Sequence, residues 1–122
     1  RHESPGETRL GAVLRDLGIR ATPQVWIRTA QGSKRVDALL DEHPVVLEFD
    51  GAVKYRAPGT GTTGGARVDG PASNPLFAEK VREDAIRDER FEVVRVVWSQ
   101  LDAPVDIWRR IDHAVARTRR VA

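Results

Sequence analysis

VVLEFD, residues 45–50, is the stretch on which the reading of this chain turns. Its apolar run, VVLxF, is of the kind that marks a β-strand covered on both faces, and Glu48 is the exception inside it. Side chains alternate along a strand, so Val46, Glu48 and Asp50 share one face while Val45, Leu47 and Phe49 share the other. An ionised carboxylate at Glu48 is costly to bury unless it is paired or coordinates a metal.

The neighbours on the N-terminal side read as strands too. Residues 34–40 (KRVDALL) lead into the short turn DEHP, and alternation puts Arg35, Asp37 and Leu39 on one face. Residues 24–29 (QVWIRT) are rich in β-branched and aromatic side chains, and Gln31-Gly32-Ser33 supplies turn chemistry after them. Such short connections favour an antiparallel meander. Asp37, Glu48 and Asp50 then form one carboxylate cluster on two adjacent strands.

Helices flank this meander. Ser4 is a natural N-cap, Pro5 suits the first helical position, and Glu7 completes a capping box. Leu10, Val13, Leu14 and Leu17 follow at helical spacing, and Gly18 is a terminator, so a helix is expected over residues 5–17. A second helix is expected over residues 75–89, with Phe77, Val81 and Ala85 on one stripe. FEVVRVVW, residues 91–98, reads as the last strand. A final helix opens at Pro104 and runs through Ile107, Trp108, Ile111 and Val115. The order is α-β-β-β-α-β-α, an α/β domain.

Residues 56–73 are glycine-rich with little to bury, and read as a long loop. Its GTGTTGG superficially suggests a phosphate cradle, but no GK[ST] follows and no helix begins directly there, so the P-loop reading is weak and a flexible loop is expected. At 122 residues, with 40% hydrophobic and 31% charged side chains, the chain is a single globular domain. No apolar run approaches the roughly 20 residues that cross a bilayer, which speaks against a membrane partner. Cysteine is absent, which excludes disulfides and thiolate chemistry and fits a reducing cytoplasm. Seventeen arginines against three lysines give planar forks suited to phosphate, although a net charge of only +2 does not by itself call for nucleic acid. The chain starts at Arg1 and not at methionine, which suits the C-terminal part of a longer protein, a processed form or a trimmed one.

Two accounts of the acids stand at this point. In one, Glu48 and Asp37 each find an Arg or Lys, and Asp50-Gly51 is simply a turn. In the other, three converging acids are relieved by a hard divalent cation, Mg²⁺ or Mn²⁺, which takes oxygen ligands and keeps waters. The charged run from Glu79 to Arg87 reads first as a solvated face with pairs such as Glu79 with Arg82 and Glu83 with Arg87. Trp26, Trp98 and Trp108 fall on apolar faces and are expected in the core. His2, His43 and His113 have no metal-ligand spacing. The arginine-rich chain end, ARTRR, suits a helix C-terminus as well as it suits phosphate.

The ordered set SPGETRL, RVDALL, VVLEFDG with Lys54-Tyr55 after it, EKVREDAIRDERF and EVVRVVW resembles the restriction-endonuclease-like, PD-(D/E)XK superfamily. More narrowly, it resembles the very-short-patch-repair-like branch found in bacterial proteins, often behind an AbiEi-type antitoxin winged-helix region. The resemblance runs from about Ser4 to Val115, the glycine-rich loop excepted. It implies a mixed central sheet flanked by helices and Mg²⁺-dependent hydrolysis of DNA. By position, it makes Asp37 the first acid, Glu48 the acid of the (D/E)-x-K element and Glu7 the acid of the first helix. Asp37, Glu48 and Asp50 would lie at the metal. Asp50 stands where that element normally ends in lysine, and Lys54 is the nearest substitute. Glu79, Arg82 and Arg87 would brace the acids or meet the scissile phosphate, and Tyr55 would touch substrate. A nuclease fold kept only for binding DNA or a protein partner, as part of an antitoxin-type regulator, is the alternative the Asp50 departure leaves open.

Overall fold

The computed structural model describes residues 4–51 and 75–121. Lys54, Tyr55 and the expected 56–73 loop lie outside the described residues. Helix α1 (Pro5–Asp16) starts as its sequence requires, with Ser4 as N-cap. The Glu7 N–H donates to Ser4 Oγ at 3.1 Å. It ends at Leu17, followed by Gly18 at a φ of 78° that suits glycine. Strands β1 (Ala21–Thr29), β2 (Gly32–Leu40) and β3 (Val45–Phe49) follow, then α2 (Pro75–Asp88), β4 (Glu92–Val96), a short 3-10 helix (Trp98–Asp102) and α3 (Pro104–Val121).

The fold is α/β, with one open four-stranded mixed sheet in the order β1-β2-β3-β4. β1, β2 and β3 form the expected antiparallel meander. β4 runs parallel to β3, with Glu48 opposite Arg95 in the register. A parallel neighbour needs a crossover, and α2 lies in that connection. The last strand is shorter than the FEVVRVVW run suggests, because the chain turns into the 3-10 helix at Trp98.

The apolar side chains divide into two clusters, one on each face of the sheet. Leu10 and Leu14 of α1 and Ile107, Ile111 and Ala114 of α3 pack with Val45 and Leu47. Ile86 of α2 packs with Val46, Val36, Val93 and Ile27 on the other side. Val45, Val46 and Leu47 have no solvent exposure, so β3 is covered on both faces as VVLxF implies.

Alternation holds along β3 but not along β2. Ala38 and Leu40 belong to the α1/α3 side, whereas Val36, two residues earlier, belongs to the α2 side. β1 changes with it: Ala21 borders the first cluster, Val25 and Ile27 the second. The change falls where the β1–β2 register passes over Gln24 and Asp37, and Gln24 has a φ of 52°. The expectation that Arg35, Asp37 and Leu39 share a face fails there, because strict alternation assumes an unbroken twist.

The tryptophans need a correction as well. Trp98 is half-buried against the first cluster and meets Phe49 edge-on, with ring centroids 5.0 Å apart and planes at 86°. Trp26 and Trp108 are exposed, at 62% and 46%. Trp26 alternates out from Val25 and Ile27 on an outer strand, and Trp108 follows the buried Ile107 on the outer side of α3. Among the described residues, no helix is long and apolar enough to cross a membrane.

Candidate functional site

β2 and β3 pair at Leu39 with Val46 and at Ala38 with Leu47, and the next step would bring Asp37 opposite Glu48. Backbone pairing stops there and the side chains take over. The Asp37 N–H donates to Glu48 Oε2 at 3.2 Å, and the Phe49 N–H donates to Asp37 Oδ2 at 2.7 Å. Each carboxylate thus satisfies an N–H of the opposite strand at the point where the strands part.

Glu48 is 6% exposed, and burying its charge requires a partner. Arg82 of α2 supplies one in fork geometry, donating from Nη1 to Oε1 at 2.8 Å and from Nη2 to Oε2 at 3.1 Å. Arg82 also donates to the carbonyl of Arg35 and to Glu79 Oε2, the latter at 3.1 Å. Burial disfavours the charge on Arg82, but the hydrogen bonds and attraction of Glu48, followed by Glu79 and Asp37, hold its pKa above the ordinary value.

The network continues through Arg95. Its Nη2 donates to Glu79 Oε2 at 2.9 Å and to Glu83 Oε1 at 2.6 Å, and its Nη1 lies 3.8 Å from Asp50 Oδ2. Burial pushes Glu83 up, yet its hydrogen bonds with Arg95 and Arg87 outweigh that and hold it below the usual carboxylate range. Sequence reading passed over Arg95, although a signal was present. Arg95 interrupts VVxVV of β4 as Glu48 interrupts VVLxF of β3, and the two are register partners.

The residues singled out in the sequence therefore separate. Asp37 and Glu48 come together, with Arg82 and Glu79 beside them. Asp50 follows β3, donates its N–H to the Val96 carbonyl at 2.8 Å and lies toward Arg95. Among the described residues, no group of three or more His, Cys, Asp or Glu is arranged to hold a metal ion. Arg87 pairs with Glu83 within α2 at 3.0 Å and ties the helix to β4 through the Val93 carbonyl at 3.3 Å. Glu7 accepts from Ser4 Oγ and from Gln24 Nε2, both at 3.4 Å. It shares with Asp37 the lining of a cavity of about 240 Å³ that also touches Leu10, Leu14 and Ile19. A larger cavity of about 370 Å³, lined by Arg20, His43, Trp108 and Arg119, touches none of these acids.

Asp37 carries the least compensated charge of the group. Burial raises its pKa to about 6; the Phe49 N–H pulls it back, the negative charges of Glu48 and Glu7 add to the rise, and Arg82 opposes them. Among the described residues only the Phe49 N–H donates to its carboxylate, at Oδ2. Glu48 Oε1 has a lone pair beyond the one Arg82 takes. Glu48 Oε2 is already filled by Arg82 and the Asp37 N–H.

A raised pKa in the folded state means that the contribution of this group to stability is fully present below about pH 4 and is lost as pH rises through about 6. Asp37→Asn removes the penalty while keeping an oxygen for the Phe49 N–H. Solvent screening of a part-buried group reduces the effect, so the variant should be more stable than wild type by about 1–2 kcal/mol above pH 7, with no advantage near pH 4. Urea denaturation across that range reads it; an advantage that is constant with pH would contradict the assignment.

No protein-family model, curated protein or solved structure matches this chain.

Proposed function

We propose that this domain carries a metal-dependent site for hydrolysing DNA phosphodiester bonds, of the restriction-endonuclease-like, very-short-patch-repair-like kind. One observation carries the reading: Asp37 and Glu48 face each other where two antiparallel strands part, with Asp37 pushed to about 6 by burial and by neighbouring acids. Excess negative charge on oxygen donors is what a divalent cation offsets. The α-β-β-β-α-β order on a mixed sheet agrees with the resemblance seen in the sequence.

Asp37 and Glu48 are the residues that would hold Mg²⁺ or Mn²⁺. Bound there, the ion would polarise a phosphoryl oxygen and lower the pKa of a bound water. Glu7 lines the cavity next to Asp37 and can accept a hydrogen bond from a water within it. Asp50 occupies the position at which related enzymes place lysine, and its neighbour Arg95 is engaged by Glu79 and Glu83. The cation facing the phosphate is therefore to be sought outside that position.

Cleavage of DNA in Mg²⁺ or Mn²⁺ is the test, with Asp37→Ala and Glu48→Gln as the informative variants. Each should lose at least about 100-fold in rate, the scale on which removing charge stabilisation from a transition state acts. Wild-type rates in both variants would end the nuclease reading.

A second reading has its own support, since Arg82 already engages both oxygens of Glu48. On that reading the acids are structural, and the fold serves to bind DNA or a protein partner in an antitoxin-type regulator. Millimolar Mn²⁺ would then produce neither calorimetric heat nor a rise in melting temperature, because a ligand specific to the folded state must stabilise it.

A further inference from the structure

We infer that Arg82 is a competing internal cation: its ion pair with Glu48 antagonises divalent-cation binding at Asp37 and Glu48, so that metal entry and attachment of the first half of α2 oppose each other. The inference rests on the metal reading of the site given above.

Three observations lead to it. The guanidinium meets both oxygens of a side chain that is only 6% exposed, so Glu48 has its counter-charge without a metal. A cation held by Asp37 and Glu48 would share the Glu48 carboxylate with Arg82, and two positive groups on one carboxylate repel. The repulsion acts in a part-buried place, where water screens it least.

The third observation concerns how α2 is held. Its second half is anchored by Ala85 and Ile86, at 4% and 1% exposure. Toward its N-terminal end Phe77 and Val81 are exposed, and among the described residues the ties from this part of the helix, up to Arg82, to the sheet are polar. They run from Arg82 to Glu48 and to the Arg35 carbonyl, and from Glu79 to Arg95. An element held by ion pairs at one end and by apolar packing at the other is one that a competing ion can loosen at the first end alone. Coupling between two ligands of one site is reciprocal, so a cation weakened by Arg82 must weaken the hold of Arg82 in turn.

The test uses the whole chain, with Mn²⁺ as probe and Arg82→Gln as the variant. Glutamine keeps a hydrogen-bond donor near Glu48 and removes the charge. Mn²⁺ binding, counted by electron paramagnetic resonance of the free ion, should be about 10-fold tighter in Arg82→Gln than in wild type. In wild type, saturating Mn²⁺ should speed amide hydrogen exchange in the first half of α2 while leaving β3 protected, a readout that needs no variant. If wild type binds Mn²⁺, Arg82→Gln binds it no more tightly and exchange in α2 is unchanged, the competition is overturned while the metal site stands. If neither protein binds Mn²⁺, the metal reading fails and the competition falls with it. Slower exchange in the first half of α2 on adding Mn²⁺ would also overturn it, since the ion would then be fastening what it is argued to release.

Discussion

Arg82→Ala is expected to destabilise the fold by about 3–5 kcal/mol, the largest effect of any single polar substitution considered for this molecule. The reason lies in what it leaves behind. Glu48 stays on β3, between Leu47 and Phe49, with its charge buried and, among the described residues, one N–H as its remaining donor. Water cannot replace the guanidinium without opening the contact of α2 with the sheet. The carboxyl would instead take up a proton, so the deficit should be greater at neutral pH than in acid. Urea denaturation of wild type and variant at about pH 7 and about pH 5 measures both the size and the trend. A loss below about 1 kcal/mol would mean that Glu48 is solvated and the pair ordinary. Replacing Glu48 and Arg82 together by leucine should cost far less than either alone, since no uncompensated charge remains.

Gly6→Ala should come next in size, with a loss of about 2–3 kcal/mol and a sign opposite to helix propensity. A Cβ at Gly6 would overlap the Phe49 ring at Cε2, Cζ and Cδ2. The ring has little room to withdraw, because Trp98 meets it edge-on from another side. Gly11, in the middle of the same helix, is the control. Its added Cβ would meet only Arg15 Nη1, at an ordinary 3.6 Å. Gly11→Ala should therefore stabilise the protein by about 0.5–1 kcal/mol. Thermal melts of the two variants should move in opposite directions, and movement in the same direction would contradict the packing. Gly6 also sets the first turn of α1, so its substitution should displace Glu7 from its place beside Asp37.

Much of this is legible in the sequence, and the parts that are not have physical causes. Helix α1 could be read because Ser4, Pro5, Leu10, Val13, Leu14 and Gly18 each carry a local signal, and local signals survive in a sequence. β3 could be read because its burial on both faces leaves an apolar run with one exception. The face change at Gln24 and Asp37 was hidden, since it arises from two strands twisting together and neither sequence marks it. Arg82 stood in the sequence as one charge in a crowded helix, which the resemblance cast as a brace for the acids without fixing its partner. Its pairing with Glu48 spans 34 residues of chain and depends on how α2 crosses the sheet. Trp26 and Trp108 were misjudged because a large apolar side chain signals burial only where another element covers it, and coverage is a tertiary property.

The parting of β2 and β3 also divides labour within each carboxylate. Asp37 Oδ2 and Glu48 Oε2 are tied to backbone N–H groups, while Glu48 Oε1 takes the Arg82 guanidinium. One atom of each acid thus belongs to the architecture whatever the other does. A lineage without the proposed chemistry would still be held to both acids, because losing either leaves a strand end unsatisfied. Conversely, amide substitutes such as Asp37→Asn can retain the architectural atom while removing the charge, and so separate two inheritances that alanine would erase together.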